Sequence, residues 1–392
     1  MRATETGTAR ASYRSRHRVW RAPSGLPVGA AAEALFTELA ACLRREHITP
    51  LQEKIYGPLA AQAAVLERRR EILRRHGLDP ELPCTYIAGR REEDLGLSGV
   101  QLWGVVPTGD ALLRVRTVHG QGGVLGRLLE SPEGRMLHLA SVRGVSADGS
   151  LPGTAVAQAE QMLRNAEHCL VEHGFSFQQV VRTWIHLTRL LDWYGEFNRV
   201  RTLFLRERGI TGRPGGAPFP ASTGIQGCCG PEECVMDLLA VDGGGFQTRA
   251  IQASSRQQQP IAYGSSFSRG LLLAGAGEQV VFVSGTASIA ASGETLHCGQ
   301  REAQILETLL GVASLLEDQG ASLRDLAHAT LFCKDQETLA HFDRLTRQLG
   351  LPQLPVIPVL ADVCRPELLV EIEAMAVVPP ARWRPRRAEA AP

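Results

Sequence analysis

Apolar positions recur at three- and four-residue spacing in two stretches that align without a gap. Residues 155–188 read AVAQAEQMLRNAEHCLVEHGFSFQQVVRTWIHLT, and residues 301–334 read REAQILETLLGVASLLEDQGASLRDLAHATLFCK. Ala157, Gln158, Leu163, Leu170, Gly174 and Ser176 fall on Ala303, Gln304, Leu309, Leu316, Gly320 and Ser322. Leu163, Ala166 and Leu170 are spaced as one face of a helix, as are Leu306, Leu309, Leu310, Ala313 and Leu316. Each stretch therefore predicts an amphipathic helix of about four turns. Gly174 and Gly320 stand where such a helix ends on a left-handed residue. Ser176 and Ser322 each open a short turn, after which VVRTWIHLT and LAHATLFCK alternate as strands.

The elements around this repeat match as well. A strand precedes each helix, MLHLASVRG at 136–144 and QVVFVSGTASI at 279–289. A second helix follows each inner strand, at 194–209 and 337–350. Each unit closes with a proline-led segment and a last strand. These are PFPASTGIQG with ECVMDLLAV, and LPVIPVLADVC with LLVEIEAMAVV. The order β-β-α-β-α-β-β predicts an α/β (α+β) module with helices on one face of a mixed sheet. Residues 1–27, rich in Arg, Ser, Thr and Gly, read as a disordered tail, and 380–392 as a second tail. Residues 28–132 hold a helical stretch, AAEALFTELAACLRREH, and three strand-like ones, TYIAG, VQLWGVV and LLRVRTV. They form either a decoration or a degenerate third module. The first full module spans 133–248, a linker 249–261, and the second module 262–379.

Composition narrows the function. The 392 residues suffice for two or three domains. A net charge of +1, from 42 basic and 41 acidic residues, favours neither nucleic acid nor a membrane surface. No stretch reaches the length of apolar sequence that spans a bilayer. An anionic ligand has to be held by local arginines. The nine cysteines are odd in number, irregularly spaced and preceded by no signal-peptide pattern, which predicts reduced thiols in a cytoplasmic protein. Cys228, Cys229 and Cys234 lie close together, yet no CxxC pair or neighbouring histidine completes a zinc set, so no metal is expected. His138, His168, His186 and His328 are scattered and read as structural or surface residues.

The second module resembles the RidA (YjgF-type) family. The residues that carry the resemblance are Phe282 to Gly285 (FVSG), the helix ending at Gly320, Ser322 to Leu326 (SLRDL), and Val370 to Val377 (VEIEAMAV). RidA proteins are trimers with sites between subunits. A single chain of fused modules resembles the chorismatases, which use that fold as a pseudo-trimer. PASTGI at 220–225, SGTASI at 284–289 and ADVCRPELLVEIEA at 361–374 are similar to chorismatase in particular. RidA enzymes carry an arginine in the proline-led segment before the last strands. Here that segment reads PASTG or PVLAD, which counts against imine deamination. The resemblance implies a pseudo-trimer of tandem RidA/YjgF-like modules, as a monomer or weak homo-oligomer. It implies a small-molecule substrate, chorismate, released as pyruvate and a ring acid with no cofactor.

Chorismate carries two carboxylates and an enol ether. Its cleavage starts with a proton on the terminal methylene and needs cations, a carboxyl that keeps its proton near neutrality, and a closed pocket. Glu371 and Glu373 alternate on one side of an apolar strand, where desolvation and like charge raise one pKa. From the residues alone, a solvated edge with two ordinary carboxylates explains them too. The resemblance makes Glu371 the general acid and leaves Glu373 in support. It also places a cysteine at Cys364 in members that form 3-hydroxybenzoate, making Cys364 a second catalytic candidate; a buried structural thiol is the ordinary alternative. Arg199, Arg201, Arg269 and Arg365 are carboxylate candidates. Arg199 and Arg201, two apart on a helix, cannot both face the site. Tyr263 and Ser266 offer hydrogen bonds to ring hydroxyls. Ser222 and Thr286 stand on tight turns, where they either contact substrate or stabilise the turn. The expected activity is a chorismatase giving 3-hydroxybenzoate. The alternatives are the dihydroxycyclohexadiene carboxylate or 4-hydroxybenzoate as product, an enamine or imine deaminase, and a non-catalytic ligand-binding scaffold.

Overall fold

The computed structural model describes residues 11–89, 95–109, 112–120, 123–275 and 277–378. The tail at 380–392 and residues 1–10 lie outside them. Three sheets of one topology follow each other along the chain. The N-terminal unit runs β1 (Tyr13–Arg21), α1 (Val28–Arg45), β2 (Thr49–Tyr56), α2 (Gln62–Arg75), β3 (Thr85–Ile87) and β4 (Gly99–Pro107), with sheet order β1-β4-β2-β3. The middle unit runs β5 (Arg114–Gly120), β6 (Gly123–Ser131), β7 (Gly134–Arg143), α3 (Ala155–Glu172), β8 (Val180–Leu187), α4 (Leu190–Glu207), β9 (Ala221–Gln226) and β10 (Cys234–Asp242). Its order is β5-β6-β7-β10-β8-β9. The third runs β11 (Gln247–Ile251), β12 (Gly270–Gly275), β13 (Glu278–Ala287), α5 (Arg301–Glu317), β14 (Leu326–Cys333), α6 (Gln336–Gln348), β15 (Val356–Leu360) and β16 (Val370–Val378). Its order repeats the middle one, β11-β12-β13-β16-β14-β15.

The repeat is built by matching local devices at the helix ends and turns. The N-caps do not repeat: Thr154 caps α3 by accepting from the Ala157 amide and Asp335 caps α6 by accepting from the Thr338 amide, while α5 and α4 start without a side-chain cap. Gly174 and Gly320 follow their helices at φ 73° and 75°. Ser176 with Gln179, and Ser322 with Asp325, form capping boxes at the turns that follow. On α5 the buried stripe is Ile305, Leu309, Val312 and Leu316, while Leu306 and Leu310 are exposed, so the helix sits rotated from the face read off its leucines.

The boundaries differ from the sequence reading in three places. Tyr13–Arg21 is no tail: it pairs antiparallel with β4 from Tyr13–Pro107 to Arg21–Gly99. Its arginines, whose long stems cover apolar surface while the heads reach solvent, hide a strand pattern. The middle sheet begins at Arg114, well before residue 133, because β5 and β6 hydrogen-bond onto β7. Residues 247–251, partly inside the expected linker, form the edge strand β11 against β12. The N-terminal unit is thus a third module without the outer two strands of its siblings.

Each module's helices cover the outer face of its own sheet, giving one separate core per module. The inner faces meet in a further core shared by all three, with Trp103 from the first, Trp184 and Leu239 from the second, and Phe282 and Met375 from the third. This is the pseudo-trimer. Shared bulges fix how the modules correspond. In each, the last strand pairs with the strand after the first helix, and the register shifts next to Trp103–Gln52, Leu239–Arg182 and Met375–His328. Counting back two and four residues aligns Gln101, Asp237 and Glu373, then Gly99, Val235 and Glu371. Among the described residues, no helix is long and apolar enough to cross a membrane.

Candidate active site

Glu371 lies on β16, paired with Ala287 of β13 and flanked on the other side by Phe332 of β14. It is 4% exposed, and its carboxyl faces a cavity of about 140 Å³ at the junction of the middle and third modules. Gly285 makes room for it. A Cβ there would lie 2.0 Å from Glu371 Oε1, so any side chain would displace the acid. Of the three aligned positions, only this junction has an acid; the others carry Gly99 and Val235.

Burial raises the Glu371 pKa to about 8, and the neighbouring Glu373 adds to the rise; Arg182 and Arg269 pull the other way. Glu373 is also 4% exposed but is fixed in the other state. Burial opposes its charge, yet Lys54 and Arg182 hold it below the ordinary carboxylate range. Arg182 Nη2 donates to Glu373 Oε2 at 2.8 Å, and Thr330 Oγ1 donates to Oε1 at 3.0 Å. The two glutamates thus divide the roles. One is protonated and faces the cavity; the other is an ion-paired anion in the shared interior.

Three arginines line the cavity, two of them buried. Arg201 on α4 and Arg269 just before β12 are 4% and 1% exposed, and both line it. Their guanidinium groups lie 6.0 and 5.8 Å from the ring of Phe267, which stands in the cavity wall. Arg201 Nη2 donates to Asn198 Oδ1, and Arg269 Nε donates to the Gln258 carbonyl. Arg365 also lines the cavity, and its Nη1 donates to Thr295 Oγ1 at 3.3 Å. With Glu371 neutral, these cations suit a substrate with two carboxylates.

Cys364 lines the cavity half-buried. Burial pushes its thiol up to about 12, with Glu371 adding to the rise and Arg365 opposing it. It is therefore a protonated thiol beside the acid rather than a thiolate. Ser222 contributes from β9; its hydroxyl accepts from Thr183 Oγ1 at 2.8 Å and its amide donates to Ser284 Oγ.

The other candidates go elsewhere. Arg199 is exposed on the far side of α4 from Arg201, as two-residue spacing on a helix requires. Thr286 is buried with its hydroxyl donating to the Ser284 carbonyl and its methyl against Gly311 of α5. It does not line the cavity, because Gly285, Ala287 and Ile289 take the facing side and Thr286 the opposite one. Ser266 is buried against Thr202 Oγ1 at 2.8 Å. Tyr263 ends the short turn Pro260–Tyr263, and its side chain lies outside the described residues. Tyr194, Gly224 and Phe267 line the cavity without having been singled out in the sequence. Tyr194 follows Trp193, where α4 is kinked, and nothing in the local pattern marks it as facing another module.

His138, His186 and His328 are buried with pKa values lowered to about 3 by desolvation, whereas His168 is an exposed surface residue. All nine cysteines are free. Among the described residues, the group close enough to share a metal is Cys169, Glu172 and His173 at the end of α3, outside this cavity.

Residues 265–378 match the family described as Endoribonuclease L-PSP. A chorismatase of Streptomyces rapamycinicus is 28% identical over 221 residues, which are 51% of this chain and 64% of that protein. The match thus spans a little under two thirds of the curated relative. The crystal structure of a chorismatase covers 93% of this chain and 99% of its own, with a TM-score of 0.58 at 19% identity. That likeness establishes the fold across nearly the whole molecule.

Proposed function

We infer that the chain belongs to the chorismatase family, whose three-module fold it shares, and we propose that it cleaves the enolpyruvyl ether of chorismate to pyruvate and a ring acid. The observation that carries this reading is Glu371: a buried carboxyl with a pKa near 8, facing a cavity also lined by Arg201 and Arg269. A non-catalytic scaffold would be favoured by an exposed Glu371 with no pocket beside it, and burial of the acid beside a cavity counts against that. Glu371 delivers its proton to the terminal methylene of the enol ether. The resulting oxocarbenium ion then lies beside the Glu371 carboxylate that the transfer leaves behind. Arg201, Arg269 and Arg365 bind the two carboxylates and set the methylene within reach. Attack of the substrate's own C4 hydroxyl on ring C3 expels pyruvate and releases the hydroxyl proton. Opening of the resulting ring oxide at C4, with a hydrogen shift and proton transfer to oxygen, gives 3-hydroxybenzoate with no net water, whereas simple loss of the C4 hydrogen gives 4-hydroxybenzoate. Capture of the cation by water gives the diol acid instead.

Cys364 supports the aromatic outcome. It is a protonated thiol at the cavity wall, able to shield the ring from water and to relay a proton. We therefore propose 3-hydroxybenzoate as the ring product. The test is incubation of the purified protein with chorismate, with pyruvate followed by a coupled assay and ring acids by chromatography. Pyruvate with 3-hydroxybenzoate is expected. Pyruvate with the diol or 4-hydroxybenzoate would keep the reaction and overturn the role of Cys364. No pyruvate from folded protein would overturn the function.

A further inference from the structure

The bulge-aligned register places a second cleft at the junction of the N-terminal and middle modules, and four of its lining positions correspond to positions of the acid cleft. Cys84 stands where Ser222 does, since Thr85 pairs with Lys54 as Thr223 pairs with Trp184. Leu125 corresponds to Arg269, because Gly126–Leu139 repeats Gly270–Val283. Ser141 corresponds to Gly285 and Arg143 to Ala287, because Arg143–Val235 repeats Ala287–Glu371. All four first-named residues line a cavity of about 810 Å³, several times the volume at the acid. The backbone of an active junction is present, but its chemistry is changed.

Two changes decide what this cleft can do. Val235 replaces the acid and is 2% exposed, so the position supplies no proton. The acidic residue two positions on, Asp237, is occupied in structure: its Oδ1 accepts from Thr85 Oγ1 at 2.6 Å and from the Ser141 amide at 2.8 Å. A cation has meanwhile been gained. Arg143 reaches the cavity with its side chain 40% exposed, one nitrogen donating to Glu232 Oε1 at 2.8 Å. Asn165 on α3 holds this wall by donating to the carbonyls of Arg143 and Val145, both at 2.8 Å. Val124, Leu125 and Ala140 add apolar surface to the lining, which also holds His119, Asp148, His168 and Glu172, and His168 lies 3.2 Å from Glu172. Apolar lining in the same cavity as one part-exposed guanidinium suits a flat ring with a single carboxylate.

We propose that this second junction is a non-catalytic binding site for a small ring carboxylate. That the ligand is the ring acid released at Glu371 rests on the function proposed above; the site itself does not.

Calorimetric titration with 3-hydroxybenzoate tests the proposal. Two sites per chain are expected. Arg143→Ala and Val124→Trp, the first removing the cation and the second filling the cleft, should each weaken one site at least about tenfold, or roughly 1.4 kcal/mol, while chorismate turnover stays at its wild-type rate. Arg269→Ala should weaken the other site. No site in the wild-type protein, or a site or sites untouched by both second-cleft variants, would overturn the proposal. Two intact sites in a protein that releases no pyruvate would overturn the function and leave this site standing.

Discussion

Glu371→Gln removes a proton while keeping nearly the same volume and an amide able to hydrogen-bond. With a pKa of about 8, Glu371 is protonated in about nine of ten molecules at pH 7. An ordinary glutamic acid with the reference value of 4.5 would be protonated in about one of 300. Burial and Glu373 therefore raise the loaded fraction by a few hundredfold. A positioned general acid contributes on the order of 10²- to 10⁴-fold, so kcat/KM for pyruvate release should fall by about that factor. The pH dependence carries a second signature. Wild-type kcat/KM should fall about tenfold per unit above pH 8, as the acid loses its proton, and the Gln variant's residual activity should lack this limb. Stability should follow the same proton. Between 4.5 and 8 the native state holds a proton that the unfolded chain has released, so the native protein loses stability as pH rises through that window. The Gln variant should lack this loss, and its melting temperature should gain on the wild type between pH 6 and 9. Turnover within a fewfold of wild type, or an alkaline limb near pH 8 that survives in the variant, would refute the assignment.

Gly285→Ala should lower kcat at least tenfold in a folded protein, since the added methyl would lie 2.0 Å from the acid's Oε1; steady-state kinetics alongside circular dichroism checks it. Cys364→Ala should leave pyruvate release largely intact and shift ring products away from 3-hydroxybenzoate; an unchanged product ratio by chromatography would make the thiol structural. Glu373→Gln removes the anion beside Glu371 and strands Arg182 in the interior. It should cost about 3–5 kcal/mol in denaturant unfolding and move the alkaline limb of kcat/KM to lower pH.

Much of the fold was legible because the two full modules repeat the same cues: a 3.6-residue stripe, a glycine at the helix end, a serine turn and an alternating strand. The shared face of Glu371 and Glu373 was legible for a similar reason, since two glutamates two apart on a strand lie on one side; the choice of Glu371 as the candidate acid came from the resemblance. The N-terminal module was harder to see. It lacks the outer strands, and the arginines of β1 resemble the composition of a tail. The arginines could be halved but not chosen: helical spacing says that Arg199 and Arg201 diverge, while only the packing of α4 against Phe267 says which one turns inward.

Local pattern, by itself, determined the elements, the module repeat and the pairing of Glu371 with Glu373, because each depends on residues close in sequence. The tertiary structure decided which glutamate is protonated, since that depends on Arg182 and Lys54 arriving from two other modules. It also decided that the strand position of Glu371 recurs at three equivalent junctions. Gly99, Val235 and Glu371 occupy one position in a repeated frame, and burial energetics at each junction depend on what the neighbouring module brings against it.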